Sequence, residues 1–154
     1  MSYPLSSGGL LLLPIILPLG TALLSFGCKR RPQVPVLFGS VFTLLAILAL
    51  ARQYLAHGLQ SHEIGGWSPV LGISLRADGL SLLMLILTGV VGVCVSFYAK
   101  GYFSNSNNGQ NNKNSGSQTS FWPLWMMLWA GLNCLYLSGD LFNIYVTLEL
   151  VGLA

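Results

Sequence analysis

The chain has 154 residues, of which 53% are hydrophobic and only 7% charged, and the apolar residues come in blocks of membrane-spanning length. That pattern excludes an ordinary soluble domain and predicts an all-α integral membrane protein. The formal charge of +3 is spread over loops and helix ends without a basic stripe, so nucleic acid is not a partner to expect; the bilayer is. Cys28, Cys94 and Cys134 are odd in number and widely spaced among apolar neighbours, which reads as small hydrophobes and not as a metal or redox motif.

About five transmembrane helices are predicted. The first runs from about 10 to 26, with no positive charge before it and Lys29, Arg30 and Arg31 directly after it. This charge order is the reverse of a secretory signal, so no cleaved signal peptide is expected. By the positive-inside rule it places the following loop in the cytoplasm and the N-terminus outside, in a multi-pass protein of the cell (inner) membrane. Pro14 and Pro18 share one face of this helix, where each removes a backbone donor; they read as shape rather than chemistry.

A second span, about 36–55, returns the chain outside. From Ala56 to Ala77 the helical pattern is broken by Gly58, Gly65, Gly66, Pro69 and Gly72, and β-formers lie between turn residues, so a short external hairpin is predicted between helices 2 and 3. His57, His62 and Glu63 belong to this loop; without a further ligand nearby they read as solvated, and no metal site is assigned.

The third span, about 79–99, is introduced by Asp78, whose carboxylate suits a helix cap, and closed by Lys100 between Tyr98 and Tyr102, an interfacial arrangement. Thr88, Gly92 and Ser96 recur every four residues, a small-residue strip suited to helix packing. Residues 104–120, rich in Asn, Ser, Gly and Gln, are expected to form a flexible polar cytoplasmic loop. The fourth span, about 121–137, carries Trp122, Trp125 and Trp129 as interface anchors and packing, with Asn133 inside as a candidate for an interhelical hydrogen bond.

The fifth span, about 140–154, is expected to be incomplete, because the sequence stops before this helix could cross. Glu149 lies nine residues past Asp140, roughly 13 Å deeper, against a bilayer half-thickness of about 15 Å. A carboxylate near the midplane costs at least about 2.5 kcal/mol on insertion scales and normally faces a protein interior or a water path. Glu149 is therefore the leading candidate for a buried proton relay. Tyr145, one turn earlier, shares its face with Gly152, so a hydroxyl can reach the carboxylate; Asp140 points to the opposite side. The competing reading is a neutral Glu149 that only ties two helices together.

The segment Gly131-Leu132-Asn133, the run Leu137 to Leu153, and Gly65-Gly66-Trp67 through Ile73 to Asp78-Gly79-Leu80-Ser81 resemble the antiporter-like membrane subunits shared by respiratory complex I, membrane-bound hydrogenases and Mrp-type Na+/H+ antiporters, most nearly the Mrp D-type component. The resemblance covers the chain apart from its Asn/Ser-rich insert and only the N-terminal third or so of a full family member. It implies a fourteen-helix-type fold built from two inverted five-helix repeats, with the buried glutamate of the fifth helix central to proton translocation and paired with a lysine on a later helix. Glu149 falls on that position, and Asp78 on a recurrent family aspartate. The implied partners are other membrane subunits, a chain that supplies the remaining helices, protons and Na+. No flavin, nucleotide, haem or iron-sulfur motif appears, so no cofactor is assigned and any redox chemistry belongs to other subunits. Two function classes follow: part of a proton-translocating or Na+/H+-antiporting subunit, or a non-transporting membrane scaffold, including an inactive truncated product.

Overall fold

The computed structural model describes residues 6–27, 32–64, 73–106 and 115–154, with side chains for 9–27, 32–59, 74–103 and 120–154. Five helices and one hairpin follow in chain order: α1 (Ser6–Gly27), α2 (Gln33–His57), β1 (Gln60–Ile64), β2 (Ile73–Ala77), α3 (Gly79–Ser106), α4 (Ser115–Leu137) and α5 (Leu141–Leu153). Among the described residues, α1, α2 and α3 are long and apolar enough to cross a membrane. Helical backbone extends past Lys100 to Ser106 and resumes at Ser115, so both ends of the polar stretch 104–120 continue their neighbouring helices. A helix can carry polar residues beyond the hydrocarbon because its hydrogen bonds stay within the segment. The Lys29 to Arg31 cluster, on which the expected orientation rests, lies outside the described residues, as does Cys28.

Helix α1 packs most extensively against α4 and α2, α2 also against α3, and α5 against α4. Two apolar clusters hold the bundle at its two ends. One joins Leu11, Ile47, Leu50, Leu82, Leu85 and Leu137 to Leu75 and Ala77 of the hairpin; the other is built on Ala22, Val36, Ala99, Met126 and the fully buried rings of Trp122 and Trp129. Of the two expected roles, interface anchor and packing, these two tryptophans show packing: they are core residues. Their size fills the space that small residues open: a Cβ on Gly92 would come within 2.7 Å of the Trp129 ring. Next to it, Ser96 Oγ accepts from Trp125 Nε1 at 3.0 Å and donates to the Gly92 carbonyl at 2.7 Å. The strip that includes Gly92 and Ser96 is where α3 receives α4.

Between the two clusters the bundle buries a polar contact of backbone origin. The Pro14 carbonyl would normally accept from the amide of residue 18, but residue 18 is proline and has none. Asn133 Nδ2 of α4 donates to that carbonyl instead, at 2.7 Å, from a fully buried position. The expected interhelical bond of Asn133 exists, and its partner is the carbonyl left vacant by the proline pair. Buried polar backbone in an apolar setting demands such a partner.

The hairpin pairs β1 and β2 antiparallel, with Gln60 opposite Ala77 and Ile64 opposite Ile73. Residues 65–72 and the side chains of His62 and Glu63 lie outside the described set. Helix α2 ends at His57, an exposed residue, with Gly58 at φ +76° donating its amide to the Tyr54 carbonyl at 2.7 Å, a conformation that glycine adopts without a Cβ penalty.

Candidate proton-handling site on helix α5

The start of α5 is set by Asp140. Its backbone is extended and its Oδ1 accepts from the Asn143 amide at 2.8 Å, a side-chain cap on a donor that has no partner inside the helix. From there α5 presents two polar stripes on nearly opposite sides. Asn143 and Thr147 are buried, and Thr147 Oγ1 donates to the Asn143 carbonyl at 2.8 Å. Asn143 Oδ1 lies 3.9 Å from Cys134 Sγ of α4. Farther along, Gly131 of α4 has no side chain where Val151 and Leu150 approach; a Cβ there would stand 2.9 Å from Val151. This side of α5 is the one that packs.

The other side carries Tyr145, Glu149 and Gly152, all exposed. The expected shared face is present, and the Tyr145 hydroxyl lies within interaction range of the Glu149 carboxylate. The expected burial of Glu149 is not found in this chain. The reason is geometric: α5 leans on α4 through its Asn143, Thr147 and Val151 side, so the residues half a turn away face outward. Sequence reasoning passed over Asn143 and Thr147. Their spacing of four repeats that of Tyr145 and Glu149, and a second polar stripe in an apolar helix was the available signal.

The chain has four carboxylates, Glu63, Asp78, Asp140 and Glu149. Asp78 Oδ1 accepts from the Ser81 amide at 2.8 Å at the start of α3, so its expected capping role is present. That amide and then the Ser81 hydroxyl hold the Asp78 carboxyl below the usual aspartate range against a smaller desolvation effect, with a lesser contribution from the nearby Arg76. Asp140 caps α5. Glu149 sits in the interior of its helix, away from either cap, and faces a tyrosine. Lys100, the other secondary candidate, is exposed beside stacked Tyr98 and Tyr102, 6.4 Å between ring centres, and borders a cavity of about 300 Å³ with Phe38 and Phe97. The helical bundle does not bring Lys100 or Asp78 to the Tyr145–Glu149 face.

A family model described as NADH-ubiquinone oxidoreductase (complex I), chain 5 N-terminus, matches residues 68–111. The D-type component of the Na+/H+ antiporter of Alkalihalophilus pseudofirmus is 32% identical over 148 residues, covering 94% of this chain and 28% of that protein. The chain belongs to the antiporter-like subunit family. Within that family, the N-type component of NADH-quinone oxidoreductase from Desulforudis audaxviator is also 32% identical, over 92% of this chain and 28% of its own length. The chain thus spans about 28% of these relatives and matches their N-terminal portion. A chain of the Mrp complex from Dietzia superposes with a TM-score of 0.73 at 27% identity, covering 97% of this chain and 26% of that one. An archaeal membrane-bound sulfane sulfur reductase chain shares the fold, with a TM-score of 0.77 at 21% identity over 96% of this chain and 29% of that one. This antiporter-like protein is a multi-pass membrane protein, and its relatives are subunits of multisubunit membrane complexes.

Proposed function

We propose that the chain forms the N-terminal part of a proton-translocating or Na+/H+-antiporting subunit in a multisubunit membrane complex, with Glu149 as proton relay and Tyr145 as its hydrogen-bond partner. The observation that carries this reading is the contrast among carboxylates: Asp78 and Asp140 are engaged as helix caps, whereas Glu149 lies mid-helix on the exposed face of the apolar helix α5, one turn after Tyr145. An ionisable group at that depth is costly in lipid. Helices supplied beyond this chain therefore cover the Tyr145–Glu149 face, with a lysine of a later helix as the counter-charge the resemblance implies. In this reading α4 is the fourth span, the N-terminus and the hairpin face outside, and the polar stretch 104–120 faces the cytoplasm.

The test is ion-gradient formation in inverted membrane vesicles, normalised to assembled complex on a native gel. Glu149→Gln keeps shape and much of the hydrogen bonding but removes the titratable proton, so assembly survives and coupled transport falls steeply; Glu149→Asp retains part of it. Full transport by the assembled Glu149→Gln complex refutes the relay. The second reading, a membrane scaffold that does not transport, requires equal gradients with Glu and Gln. Alone in liposomes, the chain is expected to support no flux; impermeant thiol labelling of single cysteines in the 56–77 and 104–120 segments reads the orientation.

A further inference from the structure

The two ends of the Asp140 carboxylate do different things. Oδ1 caps α5 through the Asn143 amide at 2.8 Å, while Oδ2 accepts from the backbone amide of Ser74 in β2 at 3.3 Å, across 66 residues of sequence. The connection is reinforced on both sides. The Gly139 amide donates to the Ser74 carbonyl at 2.8 Å, Ser138 forms an antiparallel bridge with Leu75, and Ser138 Oγ donates to the Asp140 carbonyl at 3.0 Å. Ser74 lies opposite Glu63 in the β1–β2 pair, yet both of its backbone groups bond the α4–α5 connector. Residues 138–140 therefore close the second edge of β2, as a third strand would. The approach is tight enough to require glycine: a Cβ on Gly139 would stand 2.7 Å from Ser74 Oγ and 3.0 Å from its carbonyl oxygen. Leu75, the residue after the clasp, is fully buried in the core cluster with Leu11, Ile47 and Leu137, so the hairpin is itself anchored to the bundle.

A helix cap needs one oxygen, and serine or asparagine would serve as well. The second oxygen fixes α5 to a body outside it. Because α5 is a rigid rod of about 1.5 Å per residue, whatever sets its first turn also sets the depth and facing of a residue nine positions later. We propose that Asp140 is a positioning residue for Glu149: by bonding Ser74 and Asn143 together, it makes the β1–β2 hairpin the ruler that sets how deep the Tyr145–Glu149 face sits. The functional half of this inference rests on the relay reading of Glu149; the geometric half does not.

The experiment uses the full chain in its membrane assembly, reconstituted in lipid nanodiscs. Asp140→Ser keeps the α5 cap but cannot span both amides. Ser74→Pro removes the bonded amide from the hairpin side and costs no β1–β2 ladder bond, because that amide points away from β1. Gly139→Ala wedges the connector off β2 without touching the carboxylate. A nitroxide on Glu149→Cys reports depth by its relative collision with oxygen and with a water-soluble nickel reagent, and hydrogen exchange reports residues 73–77 and 143–147 separately. Asp140→Ser is expected to raise exchange in 73–77 by ~10-fold or more, to leave 143–147 within ~2-fold, and to shift the label by at least one residue rise, ~1.5 Å. Ser74→Pro and Gly139→Ala are expected to shift it alike, with no further shift in the Asp140→Ser/Ser74→Pro pair. A pure cap predicts an unmoved label in all three, and that result, or additive shifts in the pair, overturns the proposal. Should Asp140→Ser fail to assemble, Ser74→Pro and Gly139→Ala decide by the same criterion. Transport is read alongside: full transport in Glu149→Gln sinks the relay while a moved label still upholds the clasp, and an unmoved label sinks the clasp whatever Glu149→Gln does.

Discussion

Helices α1 and α5 are both apolar and each carries a polar group, and the chain treats the two in opposite ways. In α1 the vacant Pro14 carbonyl is met inside the chain by Asn133, a buried side chain of α4. In α5 Glu149 lies one turn from Tyr145 on an exposed face. The same rule, that apolar surroundings demand partners for polar groups, thus gives two meanings. A polar group satisfied within the bundle is architecture. One left on an unpacked face is, under the proposed function, where the rest of a membrane assembly meets this chain and where a titratable group exchanges a proton.

The comparison breaks first at Glu149, where the largest effect is expected. Glu149→Gln in the assembled complex lowers coupled transport by at least ~10-fold, equivalent to about 1.4 kcal/mol or more of lost transition-state stabilisation, with assembly unchanged. An assembled complex that transports fully would place Glu149 with Asn133, among the architecture.

At the α1 side the effect is on stability. Asn133→Leu removes the side-chain donor at the Pro14 carbonyl and is expected to cost about 1–2 kcal/mol, less than a full buried orphan because the unpaired Asn133 Oδ1 is removed as well. Pro18→Ala sharpens this, because it restores the amide that an uninterrupted helix would give to Pro14; in that background Asn133→Leu becomes nearly neutral. Reversible unfolding in mixed micelles measures the cycle, and equal costs in both backgrounds would separate Asn133 from the proline pair.

Packing on the small-residue strip comes next. Gly92→Ala drives a Cβ to 2.7 Å from the Trp129 ring, an overpacking cost of about 1–3 kcal/mol if the ring cannot shift and less if it can. The same unfolding assay reads it, and a stabilised variant would show that the α3–α4 seam is loose.

The smallest effect belongs to Asp78. Asp78→Ala costs about 1 kcal/mol as a lost cap. Because the folded carboxyl lies below its ordinary value, its contribution is fully present above the unfolded value of about 3.9 and is lost as pH falls through the lower folded one. Wild type and Asp78→Ala should therefore converge in stability only at strongly acidic pH; a constant difference down to that range would assign the cost to lost packing.

Much of this molecule is legible in its sequence. Apolar blocks of spanning length define membrane helices because lipid leaves few alternatives, the glycine-punctuated stretch after α2 reads as a hairpin, and aspartate directly before an apolar run reads as a cap. The Tyr145–Glu149 face follows from helical spacing alone. What remained hidden was decided by which sides of those helices meet. Sequence could place Pro14, Pro18 and Asn133 on helices, but only the packing of α4 on α1 brings an amide from one to the vacant carbonyl of the other. Likewise, helical spacing sets Asn143 and Thr147 opposite Tyr145 and Glu149, and only the docking of α5 on α4 at Gly131 turns the first pair inward and the second outward. Helical period is a local property of the chain; burial depends on neighbours distant in sequence, and so does the bond from Asp140 to Ser74, made where two connectors happen to meet.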